Sequence, residues 1–154
     1  MLEDSRDVIS IVESGEFDIV IHGCNCFCVQ GAGIALALRK YPQVFAADSC
    51  TKIGDSGKLG TWTKAKVYTA AGGVWVVNLY SQYGYGRGRY HCNYNAIELG
   101  LSRLASKTQG QRIAISRIGC GLAGGEWSIV KGIIEKHIPN AVIYGVRKCS
   151  TKNM

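Results

Sequence analysis

The sequence predicts an α/β domain, a three-layer α/β/α sandwich built on a mixed, largely parallel sheet of about six strands. Three observations carry this prediction. Apolar periodicity switches repeatedly between strand-like and helix-like spacing. Residues 74–78 (VWVVN) form a continuous apolar run of the kind found in a central strand buried on both faces. Two predicted strands run into helices through glycine-rich junctions.

Each element follows from local chemistry. Val8, Ile11 and Val12 recur at helical spacing, with Ser5 placed to cap and Gly15 to stop a short first helix. Residues 18–22 (DIVIH) follow as a strand. Gly31, Ala32 and Gly33 open a second helix with Ile34, Ala37, Leu38 and Tyr41 on one face, ended by Pro42. A weaker helix runs through Phe45 to Cys50. Residues 57–63 and 66–69 are expected as short strands around turns, ahead of the buried strand at 74–78. Asn93 caps a helix whose inner face is Tyr94, Ile97, Leu101 and Leu104. Residues 112–116 (RIAIS) form the next strand and 126–137 the last helix, with Trp127, Val130, Ile134 and Ile138 inward and Pro139 just past its end. Residues 141–146 return as a final strand.

At 154 residues and 47% hydrophobic, the chain is one domain's worth and long enough to bury a full core. The domain is expected over 1–146, with a basic tail at 147–154. No apolar run approaches the roughly 18 residues of a membrane span, and the acidic start MLEDSRDV does not resemble an export signal. Seven cysteines, an odd number without such a signal, fit reduced thiols and a cytoplasmic location. His22, Cys24, Cys26 and Cys28 alternate along one extended segment and would converge poorly on a tetrahedron, so no metal or other cofactor is expected.

The net charge of +7 includes +3 from Arg147, Lys148 and Lys152 in the tail. That is a thin signal for nucleic acid, which is not an expected partner. The nearest basic and aromatic interleaving is the segment 80–94, with Arg87 and Arg89 among five tyrosines. No oligomer signal is present and a monomer is expected.

The two glycine-rich junctions are the most informative feature. HGCNCFCVQGAGIA runs from His22 into the second helix, and RIGCGLAGGEW runs from Arg117 into the last one with four glycines in seven residues. Backbone N–H groups left unpaired at such junctions bind anions, and glycine permits close approach. In an open sheet both loops emerge beyond the carboxyl ends of the strands, so a diphosphate could span them. Neither loop has the lysine of a Walker motif or the full dinucleotide-binding pattern. A tight turn for close packing is the alternative for either loop alone.

DIVIHGCNCFCVQGAGIALAL, RIGCGLAGGEW, IGDSGKLGTW and VVNLYSQYGYGRGRYHCNYNAI together resemble the macrodomains, in particular the branch related to ADP-ribose 1''-phosphate phosphatases. The resemblance covers nearly the whole chain. It implies a macrodomain-like sandwich whose ligand is ADP-ribose or ADP-ribose 1''-phosphate, held without a membrane or a cofactor. It further implies that Asp7, followed by Val8, recognises the adenine amino group, although the usual preceding glycine is Arg6 here. Gly31, Ala32, Gly33 and Ile34, with Gly119, Cys120, Gly121, Leu122 and Ala123, would cradle the diphosphate. Asn25 would hold the distal ribose and His22 would lie near it, these two being the expected catalytic residues.

One hydrolase branch of the resembled family uses a lysine before the helix and an aspartate after CGL. Here no lysine occurs from Val67 to Ser106, and Ala123 occupies the aspartate position. A lysine–aspartate mechanism is therefore not expected. For phosphate release, Asn25 could orient water or the ribose, His22 could act as general acid or base, and second-loop N–H groups could stabilise developing charge. Cys24 or Cys120 as nucleophile is a lesser option, because no C-x5-R pattern is present. The expected function is metal-independent hydrolysis of ADP-ribose 1''-phosphate. The alternatives are a non-catalytic ADP-ribose reader and an ADP-ribosyl ester hydrolase.

Overall fold

A computed structural model describes residues 1–86 and 90–147. Arg87, Arg89 and the tail beyond Arg147 lie outside the described residues. Helices α1 (Val8–Glu13), α2 (Gly33–Ala37), α3 (Pro42–Ser49), α4 (Tyr94–Lys107) and α5 (Trp127–His137) flank strands β1 (Ile19–Cys24), β2 (Trp62–Thr69), β3 (Gly72–Tyr80), β4 (Ile113–Ile115) and β5 (Val142–Ile143). The strands form one sheet in the order β2-β3-β1-β4-β5. β1 pairs parallel with both β3 and β4, β4 pairs parallel with β5, and only β2 runs antiparallel, against β3. The sheet is mixed and largely parallel, as expected, with five strands rather than about six.

Side-chain alternation sorts the core into two layers. Ile19, Ile21, Val77, Leu79, Ile113 and Ile115 pack against Ile97, Leu101 and Leu104 of α4 and Val130 and Ile134 of α5. Val20, Val76 and Ala114 face the other way, onto Val8, Ile11 and Val12 of α1, Leu38, Tyr41 and Val44. Each fully buried aliphatic side chain contributes about 1.5–3 kcal/mol, and this two-sided burial holds β1 and β3 as central strands.

Several local expectations are corrected. The cap of α1 is Asp7, whose side chain accepts from the Ser10 N–H, and not Ser5. α2 ends at Ala37 and continues as a 3-10 turn over Leu38–Lys40, while Pro42 opens α3 at its first turn instead of only ending the helix before it. Residues 57–63 and 66–69 are not two strands: Ser56–Lys58 is a 3-10 turn held by Asp55, residues 59–60 follow as a turn, and a single strand, β2, runs over Trp62–Thr69. The last strand is two residues long. Asn93 caps α4 through the Ala96 N–H as expected.

Candidate functional site

The loop after β1 and the loop after β4 leave neighbouring parallel strands at the same sheet edge. They border a cleft with two lobes. The smaller, ≈ 300 Å³, is lined by Asn25, Gly31, Ala32, Gln82, Tyr85, Leu122 and Ala123 among others. The larger, ≈ 580 Å³, is lined by Asp7, Val8, Gly33, Ile34, Arg117, Cys120, Gly121, Trp127 and Tyr144 among others. Consecutive residues of each loop divide between the lobes, Ala32 from Gly33 and Gly121 from Leu122, so the loops form a waist between them.

The first loop is braced from within. Asn25 Oδ1 accepts from the N–H groups of Phe27 (2.9 Å) and Val29 (3.3 Å), and its Nδ2 donates to the Val29 carbonyl at 2.8 Å. One amide hydrogen of Asn25 is left over beside the smaller lobe. Gln30 is clamped twice: its Nε2 donates to Asp48 Oδ2 at 2.7 Å, and its carbonyl accepts from Arg39 Nε at 3.1 Å. Asp48, buried on α3, also accepts from the Tyr80 hydroxyl at 2.8 Å, which ties the loop to the end of β3. The second loop is fixed by Ala123, whose carbonyl accepts from the N–H groups of His91 (2.9 Å) and Cys92 (3.0 Å).

The glycines divide into two kinds. A Cβ on Gly119 or Gly125 would lie 2.7 Å from Cys92 Sγ, so both serve packing, and Gly119, further fixed by its φ of +75°, lines neither lobe. Gly31 and Gly121 are different: a Cβ there meets nothing within 4 Å, and neither has a positive φ. Gly33 also faces open space but has φ +57°, which favours glycine by itself. Among the described residues, the N–H groups of Gly31, Ala32, Gly121, Leu122 and Ala123 have no hydrogen-bond acceptor, and those of Gly33 and Ile34 belong to the unpaired first turn of α2. Seven donors therefore border the waist.

In the larger lobe, the Asp7 carboxyl is held below its usual range by the Ser10 backbone N–H it accepts and is ionised at neutral pH. Arg6, which stands where the resembled family carries glycine, turns away to pair with Asp4 and Glu16. Arg117 lies over the Trp127 ring, 5.0 Å from its centroid, and pairs with Glu3 at 3.3 Å. Trp127, expected as a core residue of the last helix, thus forms a wall of this lobe. Tyr144, Gln82 and Tyr85 were likewise not anticipated as lining residues; their apolar or loop context carried no pattern that would single them out.

His22 is placed elsewhere than expected. It is 1% exposed, lines neither lobe and bonds Asn78 on β3 at 2.6 Å. The strand alternation that aims Val20 at the α3 layer aims His22 there too. Burial, partly offset by the Asn78 bond, pushes its pKa down, so the ring is neutral near pH 7. The thiols are poor nucleophiles: burial raises Cys24 well above its ordinary value and pushes Cys120 up to about 11. Ala123, which occupies the position of that hydrolase branch's aspartate, lines the smaller lobe together with Gln82, whose side-chain amide is spent on the Gly84 carbonyl at 2.8 Å.

No family model matches the chain. A 17.5 kDa protein from the tk-vs intergenic region of Enterobacteria phage T4, itself uncharacterized, is 31% identical over 138 residues, which is 85% of either chain. Among solved structures, a macrodomain protein from Streptomyces coelicolor superposes with a TM-score of 0.62 at 27% identity, covering 82% of this chain and 86% of that one. Thermosipho africanus DarTG, solved in complex with ADP-ribose, matches with a TM-score of 0.70 at 20% identity over 86% of this chain and 39% of that one. Several structural neighbours are macrodomains, and the fold described above is the macrodomain fold.

Proposed function

Since the chain belongs to the family of the phage T4 17.5 kDa protein and has the macrodomain fold, we propose that it binds ADP-ribose across the waist and hydrolyses ADP-ribose 1''-phosphate without a metal ion. The observation that carries the binding reading is the pair Gly31 and Gly121. Nothing in the fold requires glycine at either position, whereas a phosphate lying against the backbone does. The adenosine occupies the larger lobe, with its amino group at the free oxygen of Asp7. The diphosphate crosses the seven N–H donors, and the distal ribose enters the smaller lobe beside Asn25. The ADP-ribose complex of the DarTG neighbour supports the same ligand class.

In the hydrolytic step, water adds to phosphorus, the bond from phosphorus to the 1'' oxygen breaks, and the departing oxygen takes a proton, giving ADP-ribose and inorganic phosphate. The N–H groups of Leu122 and Ala123 bind the charge that develops on the phosphoryl oxygens, and the spare Nδ2 hydrogen of Asn25 orients the ribose or the water. His22 has no contact with this lobe and acts as a positioning residue behind β1.

One observation favours a second reading, a non-catalytic ADP-ribose reader. Among the described residues, no carboxylate, histidine or lysine lines the smaller lobe. Phosphate release from ADP-ribose 1''-phosphate by metal-free protein, measured beside calorimetric binding of ADP-ribose, separates the two. Turnover lost in Asn25→Ala supports the phosphatase. Binding without turnover supports the reader, and absence of binding removes both.

A further inference from the structure

The β2 side of the sheet carries a second surface, whose groove shares no lining residue with either lobe of the cleft. β2 is an edge strand, and its residues Trp62, Lys64, Lys66 and Tyr68 alternate onto one face. Trp75 of β3 stands opposite Lys66 in the register, so its ring lies between the two lysines, with Lys64 Nζ 4.4 Å and Lys66 Nζ 5.1 Å from the ring centroid. A groove of ≈ 260 Å³ runs between this face and the end of α4, lined by Trp62, Lys64, Trp75, Lys107 and Gln111 among others. Tyr68 is 78% exposed at the far end of the row.

The charge of this surface is uncompensated. Lys64, Lys66 and Lys107 form no ion pair among the described residues, while Asp18, the carboxylate that feels Lys66, is already held by Arg112 at 3.0 Å. Lysines on an edge strand can serve to prevent strand pairing. That role does not account for two half-buried tryptophans and an exposed tyrosine on the same face, Trp75 between the lysines and Trp62 and Tyr68 beyond them.

Aromatic rings interleaved with ammonium groups across the face of two paired strands match the requirements of single-stranded nucleic acid, whose bases stack on the rings while its phosphates meet the lysines. We propose that the face formed by Trp62, Lys64, Lys66, Tyr68 and Trp75, with Lys107, binds single-stranded nucleic acid. An acidic polypeptide would satisfy the lysines and leave the rings without a stacking partner. In the sequence, the nearest such interleaving is the segment 80–94. In the fold it lies instead on β2 and becomes complete only when β3 supplies Trp75.

The test is fluorescence anisotropy of a labelled oligothymidylate titrated with the protein at low and rising salt. Three lysine–phosphate contacts predict a log–log salt slope of about −2. Lys64→Glu/Lys66→Glu should weaken binding by about tenfold or more and flatten the slope. The control Lys52→Glu/Lys131→Glu removes the same charge elsewhere and should weaken binding far less. Tyr68→Ala, which alters no charge, should weaken binding several-fold through lost stacking. Melting temperatures close to wild type establish that the variants are folded. The proposal is overturned if wild type does not bind at low salt, if the two double variants lose affinity equally, or if polyglutamate competes as well as an oligonucleotide of equal charge.

Discussion

His22 and Asn78 face each other as register partners on the adjacent parallel strands β1 and β3, joined by a 2.6 Å hydrogen bond. The Asn78 amide donates to the Val44 carbonyl and to Thr63 Oγ1, both at 3.1 Å, so its oxygen must be the acceptor and the His22 Nε2 must carry the proton. The bond fixes the tautomer of a buried, neutral histidine and links β1 to α3 behind the binding loop.

A pH dependence follows. Because burial depresses the His22 pKa in the folded state, the unfolded chain takes up that proton first as the pH falls. The stabilising contribution is complete above the unfolded value of about 6.5 and is lost as pH falls through the folded value. Carboxylates held low by ion pairs, such as Asp4 and Asp18, act only in a lower window, near and below about pH 4. The melting temperature should therefore decline between pH 7 and about pH 5, and His22→Gln should remove that decline. A flat wild-type profile over this interval would show that protonation of His22 is not linked to unfolding.

The two kinds of glycine should respond oppositely. Gly31→Ala and Gly121→Ala place a methyl group in open space and should leave the melting temperature nearly unchanged while weakening ADP-ribose binding by about tenfold or more, since the methyl meets the phosphates. Gly119→Ala and Gly125→Ala drive a methyl into Cys92 and should cost about 1–3 kcal/mol of stability. Thermal melts paired with calorimetry would detect the contrast. Full affinity in Gly31→Ala and Gly121→Ala would remove the phosphates from the waist.

Asp7 performs two tasks that one substitution separates. Asp7→Asn keeps a side-chain oxygen to cap α1 through the Ser10 N–H, so stability should change by less than about 1 kcal/mol. The acceptor charge for the adenine amino group is lost. Wild type should prefer ADP-ribose to the inosine analogue, which lacks that amino group, and the variant should lose the preference. Equal discrimination by both proteins would assign adenine recognition to another group.

Asn25→Ala removes three hydrogen bonds from the turn at 25–29 as well as the spare amide hydrogen. Affinity for ADP-ribose should fall by about tenfold or more, corresponding to roughly 1–3 kcal/mol. Asn25→Asp retains the acceptor for the Phe27 and Val29 N–H groups but opposes the Val29 carbonyl, and should show an intermediate loss. Calorimetric titration of the two variants orders them; an unchanged affinity in both would detach the turn from the ligand.

Elements with a strong local cause were legible in the sequence. Asn93 and the row Tyr94, Ile97, Leu101 and Leu104 specify α4, and the run at 74–78 forms part of β3. Less legible were places where two local signals compete. Ser5 and Asp7 both stand before the first helix, and the position whose side chain reaches the Ser10 N–H became the cap. Gly57 suggested a strand bounded by turns, yet Asp55 gathers Ser56–Lys58 into a 3-10 turn. In the cleft, eleven of the thirteen anticipated residues line one lobe or the other, and the exceptions, His22 and Gly119, sit beneath it.

Chain order alone thus determined the layered α/β architecture, the two glycine loops and the acid ahead of the first helix, because periodicity, capping and backbone freedom act over a few neighbouring residues. Tertiary structure decided which way His22 points, which glycines answer to packing and which to open space, and that Trp75 completes the aromatic and basic row of β2. Each of these depends on the face a strand turns toward a partner far along the chain, and that face is set only when the sheet closes its register.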